Sequence, residues 1–448
     1  MPSRRHLVLL LLALALGGSA CEPLGDLREH ISPTASAHEA YAHGLERSGL
    51  AFTALGQDWL RVANDALAHP VPATLPLQEE GYFAPERPGA VAYRISLLRG
   101  QRVSVHATLR PDASARLFVD IFTPQDTIRA AERLASADSQ ATSLEFEPRR
   151  AGDFVIRVQP ELLRGGRYTL IVRAAPSLAF PVSGAGRRNV QSLFGAARDG
   201  GSRAHHGIDI FAPRGTPVLA ATTGRVARVQ ETAVGGRVVW LRDERRGQSL
   251  YYAHLDSQHV AAGVMVRPGD TLGTVGNSGN ARSTPPHLHF GIYRRGEGPI
   301  DPLPFVHVAD TVPRVPAGDT AALGALVRAS RATTVRNAPR AEAPGLAELE
   351  GRDLVRALGA VGSWYRVELP DGRSGFLPAG VLGVARTPLW QQRSPAGLEL
   401  RDAPRPNAGL IMRLAEGQEL RVLGTYGRYA YVAVDTLHGW VSASTAPP

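Results

Sequence analysis

The sequence contains no lysine, and only one of its 448 residues is cysteine, Cys21. A single cysteine excludes an intrachain disulfide and any zinc site built on paired thiolates. Aromatic residues are scarce at 6%, whereas Gly 47 and Pro 34 are plentiful, a balance that favours strands joined by tight turns over long helical bundles. No apolar run reaches the ~18 residues of a membrane-spanning helix. With 44% hydrophobic and 20% charged residues, the composition is that of packed globular domains and excludes wholesale disorder.

What is present begins with arginine. The formal net charge is +9, and residues 180–305, with 15 Arg against 9 acidic residues, supply six of those nine charges. There is no basic tail and no run of five like charges, so nucleic acid is not expected as a partner; an anionic wall polymer suits the charge better. At the N-terminus Arg4 and Arg5 precede an apolar stretch from Leu7 to Leu16 and the small residues Gly17-Gly18-Ser19-Ala20. That is the pattern of a secretory signal over residues 1–20, too short to span a bilayer. With Cys21 next, it resembles a bacterial lipoprotein signal. The resemblance implies export, lipidation of Cys21, membrane attachment through that lipid and, with Glu22 following, the outer membrane facing the periplasm.

The rest divides by pattern into a mainly β, multidomain chain. A proline-free stretch with Ala51, Leu55, Trp59, Val62 and Ala66 near helical spacing predicts a helical segment over 36–70. Residues 80–175 alternate in short apolar runs between Gly, Pro and Asp turns, which predicts a β-sandwich similar to the pre-peptidase modules of secreted bacterial proteases. Beyond a Pro/Ala/Gly linker the sequence repeats: Val335-Arg-Asn-Ala-Pro339 matches Leu400-Arg-Asp-Ala-Pro404, and Gly375-Phe-Leu matches Gly439-Trp-Val. These two units, 330–385 and 390–446, are similar to small bacterial SH3-like barrels. Their aromatics, Trp364, Tyr365, Tyr429, Tyr431 and Trp440, are read mainly as core and rim packing.

Between them, over 180–305, lie six of the 14 histidines. In an extended strand His205 and Asp209 share a face, and so do His287 and His289, with Leu288 and Phe290 turned inward. His254 comes from a third segment. Two imidazoles and one carboxylate suit Zn²⁺ and leave a fourth position for water, as in catalytic zinc sites; the remaining two histidines can then do acid-base work.

The run Phe194-Gly, Arg203-x-His-x-Gly-Ile-Asp-Ile, Ala212-Pro-x-Gly-Thr-Pro-Val218, Tyr252-x-His-Leu255, Gly273-x-x-Gly276 and Pro286-His-Leu-His-Phe290, closed by Asp301-Pro302, resembles the lysostaphin or LytM-type zinc metalloendopeptidases. The resemblance implies a β-rich peptidase domain of the duplicated hybrid motif type over 180–305. It implies zinc on His205, Asp209 and His289, with His254 and His287 as the catalytic pair. The implied activity is hydrolysis of the peptide cross-links of peptidoglycan, with Arg203, Arg214, Arg282 and Tyr252 as candidate substrate contacts and other envelope proteins as potential partners. A noncatalytic wall-binding scaffold or amidase activator on the same fold is the alternative.

Overall fold

The computed structural model describes residues 35–110, 115–126, 128–138, 143–309 and 312–442. The expected signal segment and Cys21 lie outside them. The fold is mainly β, 47% strand against 12% helix, in several sheets.

Two helices open it, Ala37–Arg47 and Ala54–Ala68. Ser36 caps the first and Glu39 reaches back to the Ser36 amide, so two otherwise unpaired donors are satisfied reciprocally. The helices pack on a five-stranded sheet. Trp59 is buried and donates through Nε1 to the Pro160 carbonyl at 2.9 Å, while His38 stacks on Trp59 and bonds Gln159 at 2.8 Å. Burial, then the charge of Arg157, lowers His38 from 6.5 to about 4. The folded protein therefore refuses a proton that the unfolded chain accepts. Stability from this group is complete above pH 6.5 and is lost as pH falls toward 4, by ~3 kcal/mol at most. Thermal unfolding at pH 7 and at pH 4.5 should show the loss, and His38→Gln should flatten this part of the pH dependence.

The five-stranded sheet is one layer of the sandwich. The other contains Leu77–Phe83, Gly166–Pro176, Gln101–Arg110 and Ser143–Phe146. Val103, Val105, Val119, Ile121, Ile156, Val158, Leu170 and Val172 fill the space between the layers. This second sheet does not end with the sandwich. The free edge of Leu77–Phe83 pairs with Leu354–Val361, Glu79 opposite Val361 and Gly81 opposite Gly359, giving one sheet of eleven strands. The first C-terminal unit is thus continuous with the sandwich and not a separate bead. Glu79 is buried at this joint, where its Oε1 accepts from the Tyr168 hydroxyl at 2.7 Å and from Arg366 Nη2 at 3.1 Å.

The two C-terminal units share one strand order. In the first it runs Gly345–Leu349, Thr333–Arg336, Ser374–Pro378, Trp364–Glu368, Leu354–Val361, Leu326–Ala329; in the second Leu410–Arg413, Glu399–Arg401, Leu437–Ser442, Tyr429–Val434, Glu419–Tyr426, Trp390–Arg393. They touch through Thr425, which bonds Asp353 at 2.9 Å, and through Tyr426, whose hydroxyl reaches Asp371 at 2.6 Å. Tyr365 and Trp440 are buried.

The histidine-rich segment forms its own ten-stranded sheet, with the central order Val190–Ser192, Ile208–Phe211, His287–Arg294, Gln248–Gln258, Gly236–Asp243, Gly224–Thr232. Its core, including Ile208, Ile210, Leu250, Tyr252, Leu288, Phe290 and Ile292, comes entirely from residues 178–306. Because side chains alternate along a strand, filling one face with these residues leaves the intervening positions on the other.

Candidate metal centre

On that other face Asp209 lies directly opposite His289, and Ala253 lies opposite His289 from the far side. His287 is opposite Phe211 and stacks on its ring. His205 reaches the same spot by a different route from the one its spacing suggests. It is not in a strand: the chain leaves Arg203–Ala204, bends through His205, His206 and Gly207, and only then enters Ile208–Phe211. Glycine is required at the bend, since a Cβ on Gly207 would lie 2.4 Å from the Phe290 carbonyl oxygen and 2.9 Å from the His289 ring.

Three ligand atoms converge. His205 Nε2 is 3.0 Å from Asp209 Oδ1 and 2.9 Å from His289 Nδ1, and His289 Nδ1 is 3.1 Å from Asp209 Oδ1. The other nitrogen of His205, Nδ1, faces the Leu193 carbonyl at 2.9 Å. A carbonyl only accepts, so the His205 proton sits on Nδ1 and Nε2 presents a lone pair. Lone pairs crowded this closely call for a cation between them, and edges near 3 Å match the ~3.3 Å expected between tetrahedral ligands at bonds of ~2.0–2.1 Å. Burial works to raise the Asp209 carboxyl, but its closeness to the His205 and His289 rings overcomes this and holds it well below the usual carboxylate range. Burial also lowers His289, keeping it a neutral ligand. Among the described residues this is the one such cluster of His, Asp, Glu and Cys.

His254 and His287 stand beside the triad, their ring centroids 5.1 Å apart and His254 6.0 Å from His289. His254 sits at φ 63°, a left-handed conformation that costs a non-glycine residue ~1–3 kcal/mol and is found where the surroundings enforce it. Its amide is held by the Gly235 carbonyl at 2.8 Å, and its Nδ1 by the Ser278 carbonyl at 2.9 Å. His287 Nδ1 is likewise held by the Pro285 carbonyl at 2.9 Å. Both rings therefore carry their proton on Nδ1, and both offer Nε2 as an acceptor when neutral. Burial, followed by the charge of His287, lowers His254 to about 4.

All five residues line one cleft of about 740 Å³, with Arg203 and the exposed His206 at its margin. Three expected substrate contacts are elsewhere. Tyr252 is fully buried on the core face, and its hydroxyl accepts from the Ala221 amide at 3.0 Å; the neighbouring Tyr251 faces the cleft in its place. Arg282 is exposed on the loop after Gly279–Ala281 and does not line the cleft, and Arg214 is paired with Asp256 and Asn277.

One residue went unnoticed in the sequence. Arg198 Nη2 lies 2.6 Å from Asp209 Oδ2 and 2.6 Å from Ser192 Oγ, which is itself 3.3 Å from His205 Nδ1. Arg198 pairs across a two-stranded hairpin with Arg203, and both arginines line the cleft. By occupying Oδ2, Arg198 leaves Oδ1 to the ligand triangle. Arg198→Ala should weaken metal affinity ~10- to 100-fold, the usual effect of removing an outer partner of a ligand, as measured by chelator competition; Arg198→Lys should recover part of it.

Part of the chain is similar to known proteins. Residues 203–302 match the model of Peptidase family M23. The chain is 37% identical over 139 residues to an L-Ala–D-Glu endopeptidase of Bacillus subtilis, covering 29% of this chain and 42% of that protein. It is 39% identical over 123 residues to the DD-carboxypeptidase/endopeptidase Mpg of Neisseria meningitidis, 28% of this chain and 27% of that one. The peptidoglycan DD-endopeptidase ShyC of Vibrio cholerae is 37% identical over 107 residues, 23% and 24%. These matches span less than half of each relative. Among solved structures, the catalytic domain of lysostaphin from Staphylococcus simulans aligns at 29% identity over 26% of this chain and 92% of that one, with a TM-score of 0.24. From Arg203 to Pro302, around the His205, Asp209 and His289 triangle, the chain carries a peptidase family M23 domain.

Proposed function

We propose that this domain is a zinc-dependent endopeptidase that hydrolyses peptide cross-links of bacterial peptidoglycan. The observation that carries the reading is the convergence of three metal-ligand atoms with two further imidazoles on one open cleft. The similar proteins include an L-Ala–D-Glu endopeptidase, a DD-carboxypeptidase/endopeptidase and a peptidoglycan DD-endopeptidase, and the last of these supports the substrate class.

His205, Asp209 and His289 would hold the zinc. Bound there, it supplies Lewis acidity, lowering the pKa of water toward ~7 and polarising the scissile carbonyl. His287 Nε2, an acceptor because Nδ1 is tied to Pro285, takes the proton of the attacking water and returns it to the departing amine. His254 is poorly suited to donate to an oxyanion. With Nδ1 committed to Ser278 and the ring kept neutral by burial, its Nε2 accepts, so His254 orients the water. The noncatalytic alternative draws no support from a site in which all five residues are present and assembled.

Zinc analysis of the purified protein together with a muropeptide digest tests the proposal. One equivalent of zinc and chelator-sensitive release of monomers from cross-linked dimers are expected; a zinc-loaded protein that leaves dimers intact would favour the scaffold. Export and anchoring through Cys21 belong to the same proposal. Palmitate should label the wild type, and Cys21→Ser should release it to the soluble fraction.

A further inference from the structure

The cleft continues past the metal triangle onto an aromatic floor that the proposed chemistry does not use. Two residues beyond His289, Gly291 lies opposite Tyr251, and Tyr251 lies opposite Trp240 on the next strand. Tyr293 follows on the same face. The Trp240 and Tyr251 rings are 4.4 Å apart, Trp240 and Tyr293 5.2 Å, and Tyr251 stands edge-on to His289 at 5.8 Å. All three aromatics are half-buried and line the cleft, on the sheet face opposite the domain's own core.

The platform is preorganised. The Tyr251 hydroxyl sits tight under Gly235, where a Cβ would meet it at 2.1 Å. A Cβ on Gly291 would come within 3.0 Å of the His206 carbonyl oxygen and 3.1 Å of the Tyr293 ring, so bare backbone there keeps a recess between the rings. At ~3.4 Å per residue along a strand, Tyr293 stands ~13 Å from His289, one binding position removed from the reacting bond.

Resting on the peptidoglycan reading, we propose that Trp240, Tyr251 and Tyr293 form a stacking subsite for a pyranose ring of the glycan strand, so that the domain prefers sugar-bearing cross-links to free peptide. The negative faces of aromatic rings attract the C–H bonds on the flat side of a sugar, while phenol and indole edges meet its hydroxyls. A cationic ligand, which such rings also attract, is disfavoured by Arg198 and Arg203 lining the same cleft.

The test compares disaccharide-linked peptide dimers with the same dimers stripped of sugar. Wild-type kcat/KM should be ~10-fold higher for the sugar-bearing form, the sum of two stacking contacts. Trp240→Ala and Tyr293→Ala should each bring that ratio toward one, chiefly through KM, whereas Trp240→Phe should preserve most of it. Independently of turnover, chitotetraose should quench the fluorescence of the zinc-loaded wild type and leave that of Trp240→Phe unchanged. Equal turnover of both substrates, or no quenching, overturns the subsite and leaves the peptidase reading standing. Quenching without cleavage of either substrate supports the subsite and sinks the peptidase reading alone.

Discussion

His205→Ala, Asp209→Ala and His289→Ala are each expected to lower metal content and hydrolysis together, because each removes one of only three protein ligands from the triangle. His254→Ala and His287→Ala should behave differently. Their Nε2 atoms face the cleft while their Nδ1 atoms are anchored to carbonyls, so metal should remain bound while turnover falls ~10²- to 10⁴-fold, the range for lost acid-base assistance. Plasma emission spectroscopy on each purified variant, paired with a dimer-cleavage assay, separates the two classes. His206→Ala serves as the control: its side chain is exposed at the margin, and both quantities should stay near wild type. Loss of zinc from His206→Ala with retention in His205→Ala would invert the assignment of the bend at Gly207.

The second large effect concerns stability. Arg366→Ala should destabilise the protein by ~3–5 kcal/mol, because it strips Glu79 of its cation in the interior. Glu79 Oε1 would keep only the Tyr168 hydroxyl, and Oε2 has no partner among the described residues. Burial already pushes the Glu79 carboxyl up. The paired replacement Glu79→Gln with Arg366→Met should cost less than Arg366→Ala alone, since no unpaired charge remains. The same joint decides how the C-terminus can be trimmed. Removing 386–448 leaves Leu354–Val361 in place against Leu77–Phe83, whereas removing 330–448 bares that edge and orphans Glu79. Denaturant unfolding should place the longer truncation well below the shorter one, and a metal site intact in both would show that the cost falls on the sandwich.

The site was legible in sequence because its chemistry is concentrated in short motifs whose spacing maps onto strands. His287 and His289 follow the two-residue alternation, and their inward neighbours Leu288 and Phe290 are fully buried as that alternation requires. Alternation also shows why Tyr252 could not touch substrate: it shares a face with Leu250 and the core, whereas Tyr251 shares one with the cleft. Arg198 was invisible because its partnership with Asp209 depends on how a two-residue hairpin folds back, and no periodicity encodes that. The junction of the sandwich with the first C-terminal unit was hidden for a related reason. It is a backbone pairing between strands some 280 residues apart in the chain, and no local pattern joins Glu79, on the inward face of its strand with Leu77 and Phe83, to Arg366.

That pairing orders events in time. A chain synthesised from its N-terminus delivers Leu77–Phe83 early and Leu354–Val361 late, so one edge of the sandwich waits, unpaired, while the whole peptidase segment emerges. The peptidase core needs nothing outside 178–306 and can close during that wait. An unsatisfied strand edge is a template for wrong partners. The interval before residue 361 appears is therefore the stage at which this protein is most exposed to misassembly, and slow elongation past residue 306 lengthens it.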